Sequence, residues 1–237
     1  MRFTLFIPTL NEIEGVKAIM PRIKKEWVDE IIVVDGHSTD GTKEYLESHG
    51  YKVITQTLPR TMGAWWEGFE AATGDVIIPF SPDGNSIPEK IPELVENMKK
   101  GYDMVIVSRY KDNAKSEDDD FLSGLANHLI TKLINFLFKA DYTDTLVMYR
   151  AFKKELLDKL NLNQNSGKQS NIYEVGLYEL LLSIRCAKRK LKFAEIAGDE
   201  PDRVDGTKKS RAHPNQLAKM YNGMLMLYNI IKEFFTK

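Results

Sequence analysis

Short apolar runs alternate with amphipathic stretches along the first half of the chain. Five runs rich in β-branched and aromatic residues predict buried strands at residues 3–7, 30–34, 51–55, 76–80 and 103–107. Apolar residues at helical spacing predict the helices between them, at residues 16–27, 43–49, 63–73 and 88–100, and Pro21 is expected to kink the first of these or to end its first turn. Strands that alternate with helices form right-handed βαβ units, so we expect an α/β domain with a mostly parallel central sheet flanked by helices.

Two helices predicted later in the chain, at residues 121–139 and 217–235, are apolar around most of their circumference. Each has only a thin polar stripe, formed by Gly124, Asn127, His128, Thr131 and Asn135 in the first and by Lys219, Asn222, Asn229 and Lys232 in the second. Helices this apolar are either buried or lie on a membrane surface. The pattern leaves two alternatives open: packing on the core or in a dimer, and contact with a membrane.

The composition is that of a soluble globular protein. Of 237 residues, 43% are apolar and 28% are charged, and the net charge of −1 argues against a dedicated nucleic-acid binder. The single cysteine, Cys186, cannot form an internal disulfide, which favours the reducing cytoplasm, and we expect it to be a small buried side chain. The chain enters its first strand without a signal segment, and no apolar run approaches the roughly 20 residues that span a bilayer. We therefore expect a soluble or peripherally attached protein.

Polar, turn-forming segments follow three of the predicted strands. They lie at residues 8–12, 35–42 and 81–86. Open α/β sheets bind ligands beyond the carboxyl ends of their strands, so we expect a ligand site where these segments meet. Each segment alone is weak support, because turn residues after strands are expected on structural grounds. The four histidines show no metal-ligand spacing, and we assign none of them to a metal.

Together these segments resemble the motifs of family 2 glycosyltransferases, especially the branch of dolichyl-phosphate mannosyltransferases and polyprenyl-phosphate sugar transferases. Residues 8–12 (PTLNE) are similar to the family's PTxNE, and residues 33–42 (VVDGHSTDGT) to its VVDxGSxDGT. Further similar blocks lie at residues 63–75, 108–110, 149–153 and 202–209. The resemblance implies a GT-A nucleotide-diphospho-sugar transferase domain at residues 1–211, followed by a C-terminal amphipathic helix at residues 212–237. Within the domain, residues 1–110 form the nucleotide-sugar-binding half and residues 111–211 the acceptor half.

In this family the nucleotide lies over the ends of the first strands. The resemblance therefore implies that the base and ribose are lined by Pro8, Leu10, Glu12 and Asp35. Carboxylates at these positions can accept hydrogen bonds from the base or ribose. Structural explanations compete with this role: Glu12 is an acid at a helix N-terminus, and Asp35 is a turn former.

The segment after the fourth strand resembles the family's DxD metal motif with one change. Asp83 occupies the second acidic position, and Ser81 stands in the donor site where the first aspartate is usual. Asn85 stands where the branch often has a metal-binding glutamine. The resemblance implies that Asp83 and Asn85 bind Mg²⁺ or Mn²⁺. With one carboxylate instead of two we expect weaker binding and an ion that arrives largely with the donor.

Three basic residues are candidates for contact with phosphate groups. Arg109 follows the fifth strand, where a planar guanidinium suits a diphosphate. Stabilising the charge that develops on this leaving group supplies most of the catalysis in such a transfer. Arg203 and Lys209 lie in a glycine-containing basic segment that could fold over the donor or hold an acceptor phosphate. Solvated surface charge is the alternative interpretation of that segment.

The acceptor side is less determined by the sequence. A hydroxyl acceptor needs a general base, and Asp144 and Glu174 fall in family blocks near the acceptor. Bracing a turn is the alternative role of Asp144. A phosphate acceptor is already anionic at neutral pH and needs no base, and the apolar helix at residues 121–139 favours a polyprenyl phosphate.

The sequence thus predicts an inverting, metal-assisted glycosyltransferase at the cytoplasmic face of a membrane, with catalytic residues Asp83, Arg109 and Asp144. Its substrates are expected to be a nucleotide-diphospho-sugar and a polyprenyl phosphate, without nucleic acid, and a homodimer is one arrangement open to it. Two alternatives remain: a soluble transferase to a hydroxyl of a cell-surface glycan, and a non-catalytic nucleotide-sugar-binding protein whose metal motif has decayed.

Overall fold

A computed structural model describes residues 1–162, 177–206 and 216–236. Within these residues a seven-stranded sheet is flanked by helices. The strands are β1 (Phe3–Thr9), β2 (Glu30–Asp35), β3 (Lys52–Thr55), β4 (Val76–Pro79), β5 (Met104–Ser108), β6 (Arg150–Lys153) and β7 (Phe193–Ala197). The helices are α1 (Ile13–Ile19), α2 (Thr42–Ser48), α3 (Arg60–Ala71), α4 (Ile91–Lys99), α5 (Phe121–Phe138), α6 (Leu156–Lys159), α7 (Leu177–Lys188) and α8 (Gln216–Phe235).

The sheet has the strand order β3-β2-β1-β4-β6-β5-β7. β1 pairs in parallel with β2 and β4, β2 with β3, and β5 with β7. β6 lies between β4 and β5 and runs antiparallel to both. The predicted α/β class with a mostly parallel sheet is confirmed. Because β1, β2, β4 and β5 share one direction, their carboxyl ends meet at a single edge of the sheet.

The short strands of the second half were not predicted, because their residues lack an apolar run. β6 begins and ends with a charged residue, and β7 has Glu195 at its centre. Arg150 of β6 is nevertheless fully buried, and its guanidinium donates to Val147 O (3.0 Å) and Ser183 Oγ (2.9 Å). These partners come from elsewhere in the fold, so tertiary contacts rather than local pattern make this segment a strand.

The first helix is shorter than the apolar spacing suggests. α1 ends at Ile19, and a 3₁₀ turn follows at Met20–Arg22. Pro21 lies in that turn, where it has no backbone N–H to donate to a continuing α-helix.

A cluster of aromatic rings packs α3 and α7 against the sheet. Trp65 and Phe69 of α3 contact Phe6 of β1 edge-on, with ring centroids 5.8 and 5.7 Å apart, and Tyr178 of α7 lies 5.4 Å from both α3 rings. Trp65 and Trp66 are both buried, so this tryptophan pair belongs to the core. Gly68 allows the close approach of α3, because a Cβ there would lie 2.2 Å from the ring of Phe6.

Helix α5 buries Ile134 and most of its polar stripe, except for the exposed His128, and leaves a broad apolar face outward. Asn127 and Thr131 are buried, and the Asn135 side chain bonds both backbone groups of Tyr142 (2.8 and 3.0 Å). On the other side, large apolar side chains are exposed: Leu122, Leu125, Leu129 and Phe136. Phe136 is 82% exposed.

Helix α8 is oriented in the same way. Asn222, Asn229 and Glu233 are buried, and Glu233 forms ion pairs with Arg185 (2.6 Å) and Lys188 (3.0 Å) of α7. Its exposed apolar residues are Met220, Tyr221, Met224, Leu227, Tyr228, Ile231, Phe234 and Phe235. Within the described parts of the chain, neither this helix nor any other is long and apolar enough to cross a bilayer.

Replacing Gly68 by alanine should destabilise the protein by about 2 kcal/mol, because the added methyl group overlaps a fully buried aromatic ring. Urea unfolding followed by circular dichroism measures the change.

The matched control is Gly124→Ala in α5, where an added Cβ would meet nothing within 4 Å. This variant should be neutral or stabilising by up to about 1 kcal/mol, because alanine favours a helix interior. Equal effects of the two substitutions would contradict the packing described for α3.

Candidate active site

The polar segments that follow β1, β2, β4 and β5 meet at the carboxyl-terminal edge of the sheet. β1 contains Pro8 near its end and leads into Leu10, β2 ends at Asp35, and β4 and β5 lead into the segments of Asp83 and Arg109. This is the edge at which open α/β sheets bind ligands. The structure therefore brings the donor-side residues suggested by the sequence to one place.

Asp35 is held by an internal set of hydrogen bonds at the end of β2. Its carboxylate accepts from the backbone N–H of Ser38 (3.0 Å), the hydroxyl of Ser38 (2.6 Å) and the hydroxyl of Thr9 (3.3 Å). The side chain is fully buried. Asp35 thus fixes the turn after β2 and ties it to the end of β1.

The segments after β1 and β2 are joined to each other. Asn11, which has a positive φ of 54°, accepts from the N–H of Thr39 (2.8 Å), and Asp40 accepts from the N–H of Ile13 (3.1 Å). The backbone N–H of Glu12 donates to Thr42 Oγ1 (3.0 Å). Leu10 projects from this joined surface and is 54% exposed, as suits an apolar contact with a flat base.

Asp83 is a buried carboxylate at the end of β4. It is 5% exposed, and its oxygen accepts from the N–H of Asn85 (3.2 Å) in a tight turn. The start of α1 packs closely against this turn, since a Cβ on Gly15 would lie 2.4 Å from Pro82 O. Burial raises the pKa of the Asp83 carboxyl, and the nearby charge of Arg203 offsets this only in part.

A guanidinium lies against this carboxylate. Arg203 is 3.4 Å from Asp83 and 3.5 Å from Asp118, which is buried in the segment between β5 and α5. Both distances exceed those of a strong charge-assisted hydrogen bond, so the ion pairs are loose. The position beside Asp83 is therefore one that already receives positive charge.

The oxygen atoms at this turn fit a hard divalent cation that is completed by other ligands. Within the described ranges, no three acidic, histidine or cysteine side chains converge as a metal cluster. The turn supplies the carboxylate of Asp83 and the amide oxygen of Asn85, which accepts a weak bond from Ser86 (3.3 Å). Mg²⁺ is commonly held by one or two carboxylates, with water and substrate phosphate as its remaining ligands.

Arg109 is surrounded by carboxylates. Its guanidinium donates to both oxygens of Asp144 (2.6 and 3.0 Å), to Glu200 (3.2 Å) and to Asp119 (3.4 Å). Asn127 of α5 also donates to Asp144 (3.2 Å). Arg109 is 5% exposed and Asp144 is fully buried. These contacts occupy the face of Arg109 that a diphosphate would use and the oxygens of Asp144 that a general base would use.

Asp144 is ionised in this setting. Burial alone would raise the pKa of its carboxyl, but the charge and hydrogen bonds of Arg109 and Asn127 bring it below its ordinary value. The catalytic roles suggested for Arg109 and Asp144 stay predictions, and the geometry supports a positioning role for the pair. Two further candidates, Glu174 and Lys209, lie outside the described residues.

Three residues of the site could not be identified from the sequence pattern: Asp118, Asp119 and Glu200. Asp118 and Asp119 belong to a charged stretch that is typical of a solvated loop, and Glu200 follows β7, which was not predicted. The stretch is attached to the fold, because the hydroxyl of Ser116 donates to Glu200 and the N–H of Glu117 donates to Glu200 O (2.8 Å). Asn127 was visible as part of a polar stripe, without an indication of what it faces.

The chain is similar to known glycosyltransferases. The sequence pattern of the family described as Glycosyl transferase family 2 matches residues 4–161. The chain is 32% identical over 173 residues to dolichol-phosphate mannosyltransferase of Pyrococcus furiosus, covering 69% of this chain and 49% of that protein. It is 29% identical over 169 residues to undecaprenyl-phosphate 4-deoxy-4-formamido-L-arabinose transferase of Aeromonas hydrophila, covering 66% and 50%. The chain spans about half the length of both relatives.

The fold is also found in a solved structure. Glucosyl-3-phosphoglycerate synthase from Mycobacterium tuberculosis, crystallised with Mn²⁺, UDP and phosphoglyceric acid, superposes with a TM-score of 0.68 at 20% identity. The match covers 100% of this chain and 79% of the synthase. It confirms the GT-A fold.

Separating Arg109 from Asp144 should be costly. Arg109→Met and Asp144→Asn should each lower the free energy of unfolding by about 3 kcal/mol, because each leaves a buried charge without its main partner. The double variant should lose clearly less than the sum of the two. Chemical denaturation measures all three, and additive losses would contradict the direct pairing.

Glu89→Gln is the control, since it breaks an Arg22–Glu89 pair that is half-exposed on both sides and should change stability by at most about 1 kcal/mol.

The stability that Asp144 contributes should depend on pH. The folded-state pKa of Asp144 lies below its unfolded value, so its stabilisation is complete above the unfolded pKa and is lost as the pH falls through the folded pKa. The stability gap between wild type and Asp144→Asn should therefore narrow below about pH 4.

Proposed function

The chain belongs to glycosyl transferase family 2, and from this premise we propose that it transfers a sugar, with inversion, from a nucleotide-diphospho-sugar to a polyprenyl phosphate. One observation carries the proposal. The desolvated carboxylate of Asp83 lies at the ligand-binding edge of the sheet, with the cationic Arg203 between it and the buried Asp118. Positive charge beside this carboxylate is what a diphosphate leaving group requires.

The acceptor class rests on the relatives and on the state of Asp144. Two relatives are named as transferases that act with dolichol phosphate and undecaprenyl phosphate, and the chain spans about half of each. A phosphate acceptor is anionic and needs no general base. Asp144 is bound on both oxygens by Arg109, which favours such an acceptor over a saccharide hydroxyl.

On the donor side, we assign the base and ribose to the surface formed by Pro8, Leu10, Glu12 and Asp35. Leu10 offers an exposed apolar contact, and Asp35 shapes the adjoining turn. Ser81, partly exposed before the Asp83 turn, would line the donor near its diphosphate.

Asp83 and Asn85 would hold Mg²⁺ or Mn²⁺. The synthase of the same fold was crystallised with Mn²⁺ and UDP, and also with Mg²⁺ and UDP. Such an ion supplies positive charge for the departing diphosphate. Arg109 and Asp144 act as positioning residues in this proposal, while Arg203 faces the phosphate groups. Lys209 and Glu174 are assigned to phosphate and acceptor contact from the sequence alone.

The outward apolar faces of α5 and α8 support peripheral contact with a membrane, where a polyprenyl chain resides. We place this contact at the cytoplasmic face, because the nucleotide-activated sugar is a cytoplasmic substrate in this proposal. We keep the division into a donor half (1–110), an acceptor half (111–211) and a C-terminal helix (212–237). A homodimer formed through the same apolar faces is the competing arrangement.

Transfer should be detectable with a short-chain polyprenyl phosphate, a panel of UDP- and GDP-sugars, and Mg²⁺ or Mn²⁺. Asp83→Asn should lower kcat by about 10²-fold or more, because it removes the one carboxylate that holds the cation. Asp75→Asn is the matched control, since Asp75 lies just before the opposite end of β4 and its side chain is exposed. It should leave kcat unchanged.

Transfer only to saccharide hydroxyls would replace the proposed acceptor. Nucleotide binding without transfer or hydrolysis would favour the non-catalytic alternative that Ser81 raises.

Arg203→Gln should tighten Mn²⁺ binding in the absence of nucleotide by about tenfold, because the guanidinium competes with the ion for Asp83 at 3.4 Å. Electron paramagnetic resonance of free Mn²⁺ measures this affinity. Arg22→Gln removes a surface arginine of the same charge and should leave it unchanged. Unchanged or weaker Mn²⁺ binding by Arg203→Gln would show that the guanidinium does not occupy the position of the cation.

A further inference from the structure

A cavity of about 490 Å³ lies at the end of the sheet opposite the candidate active site. Its walls come from the C-terminal ends of α5, α7 and α8 and from Phe193, the first residue of β7. Apolar side chains line it, among them Leu137, Phe138, Leu191 and Phe234. This size and lining are those of a small-molecule site, provided that a few polar groups converge on it.

The polar groups that converge on the cavity are mainly lysines. Lys139, Lys188 and Lys190 line it together with Asp141 and Glu233. Glu233 is neutralised by ion pairs with Lys188 (3.0 Å) and Arg185 (2.6 Å). Lys139 and Lys190 are exposed at the mouth. The mouth therefore presents two lysines against the one exposed carboxylate of Asp141.

Two of these lysines occupy backbone positions that normally belong to glycine. Lys139 follows α5 with φ 54°, and Lys190 follows α7 with φ 53°. After α7, Lys190 N–H donates to Ala187 O and Leu191 N–H to Cys186 O, both at 3.0 Å, the bonding pattern of a helix ended by a left-handed residue. Side chains with a Cβ are strained in this conformation. Both helices thus end in a strained lysine, and both lysines line the same cavity.

The cavity continues into the exposed apolar faces of α5 and α8. Phe138 and Phe234 line the cavity and contact each other edge-on, with centroids 6.2 Å apart. Charge on these two helices is one-sided. α5 contains no acidic residue, and the single acid of α8 is the buried Glu233. The exposed charged side chains among the described ones are Lys132 and Lys232. An apolar face with only cationic charges complements an anionic lipid surface.

We propose that this cavity binds the phosphate headgroup of an anionic phospholipid, whose acyl chains lie along the α5–α8 face. The site is distinct from the acceptor site. α5 contacts the buried Asp144 through Asn127, in its N-terminal half, and lines the cavity with Leu137 and Phe138, about 15 Å further along its axis. The inference rests on the proposed function at a membrane. The headgroup site would give the protein a second point of attachment, which would fix the orientation of α5 on the bilayer.

The test uses the substitutions Lys139→Gly and Lys190→Gly, because they separate folding from binding. Each should raise Tm by about 2 °C, since glycine relieves the left-handed strain. A loss of vesicle binding in these variants therefore cannot come from unfolding. A lower Tm in both variants would overturn the inference that lysine is kept at these positions for its charge.

Binding is measured by co-sedimentation with vesicles of phosphatidylcholine alone and with added phosphatidylglycerol. The wild type should prefer the anionic vesicles. The double variant should lose about thirtyfold in affinity for them, which corresponds to about 1 kcal/mol for each lysine, and should bind neutral vesicles as the wild type does. Arg60→Gly is the control for Lys190→Gly, because Arg60 is an exposed cation with φ 67° at the start of α3. It should leave the anionic preference intact.

Two further arms identify the source of the phosphate and the occupant of the face. Stabilisation by inorganic phosphate that is lost in the double variant, with vesicle binding unchanged, would overturn the lipid assignment in favour of a soluble anion. Dimerisation through this face in sedimentation velocity, without vesicle binding, would overturn it in favour of a second copy. Transfer to a detergent-dispersed acceptor is measured separately, so a failure of the proposed function and a failure of the headgroup site remain distinguishable.

Discussion

The buried ion pair between Arg109 and Asp144 is the interaction on which the arrangement of the site depends. Arg109 is the first residue after β5, and its carboxylate partners come from three other segments: Asp144 beyond α5, Asp119 before it, and Glu200 beyond β7. Taking one guanidinium and these carboxylates out of water costs several kcal/mol per ion, and only near-complete hydrogen bonding offsets the cost. The contacts of Arg109 meet that condition. They fix the segments around the sheet edge in one arrangement.

Arg203 is held in the opposite way. Its segment follows Glu200, so the network around Arg109 places it, but its own ion pairs with Asp83 and Asp118 are long. A rigid arginine and a loosely held arginine therefore lie at the same edge. Tight bonding suits a residue that shapes a site, while loose bonding suits a cation that must exchange partners when a diphosphate and a metal ion enter. This difference, rather than distance from the sheet, separates the two roles.

The first half of the fold could be predicted because each of its strands is a continuous apolar run between turn residues. β6 and β7 could not, because their burial depends on partners far along the chain, such as Ser183 for Arg150 and Thr143 for Glu195. In the site, motif positions such as Asp35 and Asp83 were predictable from their place after strands. The engagement of Arg109 by three carboxylates was not, since a sequence shows that a guanidinium is present but not what saturates it. Helix α5 is an example. The sequence shows its polar stripe, but the direction in which the stripe points depends on the buried Asp144 that Asn127 contacts.

The inward polar stripes of α5 and α8 constrain how the protein meets its surroundings. A helix normally turns its apolar side to the core, because burying that side stabilises the fold. Here the inner sides bury Ile134 and Ile230, and much of the rest is committed to polar partners: Asn127 to Asp144, Asn135 to Tyr142, and Glu233 to Arg185 and Lys188. Satisfying those buried groups leaves the apolar sides outward, where they lose their hydrophobic stabilisation in water. A surface of this kind regains that free energy only against an apolar phase or another apolar surface, so the polar network that builds the site also creates the need for a partner outside it.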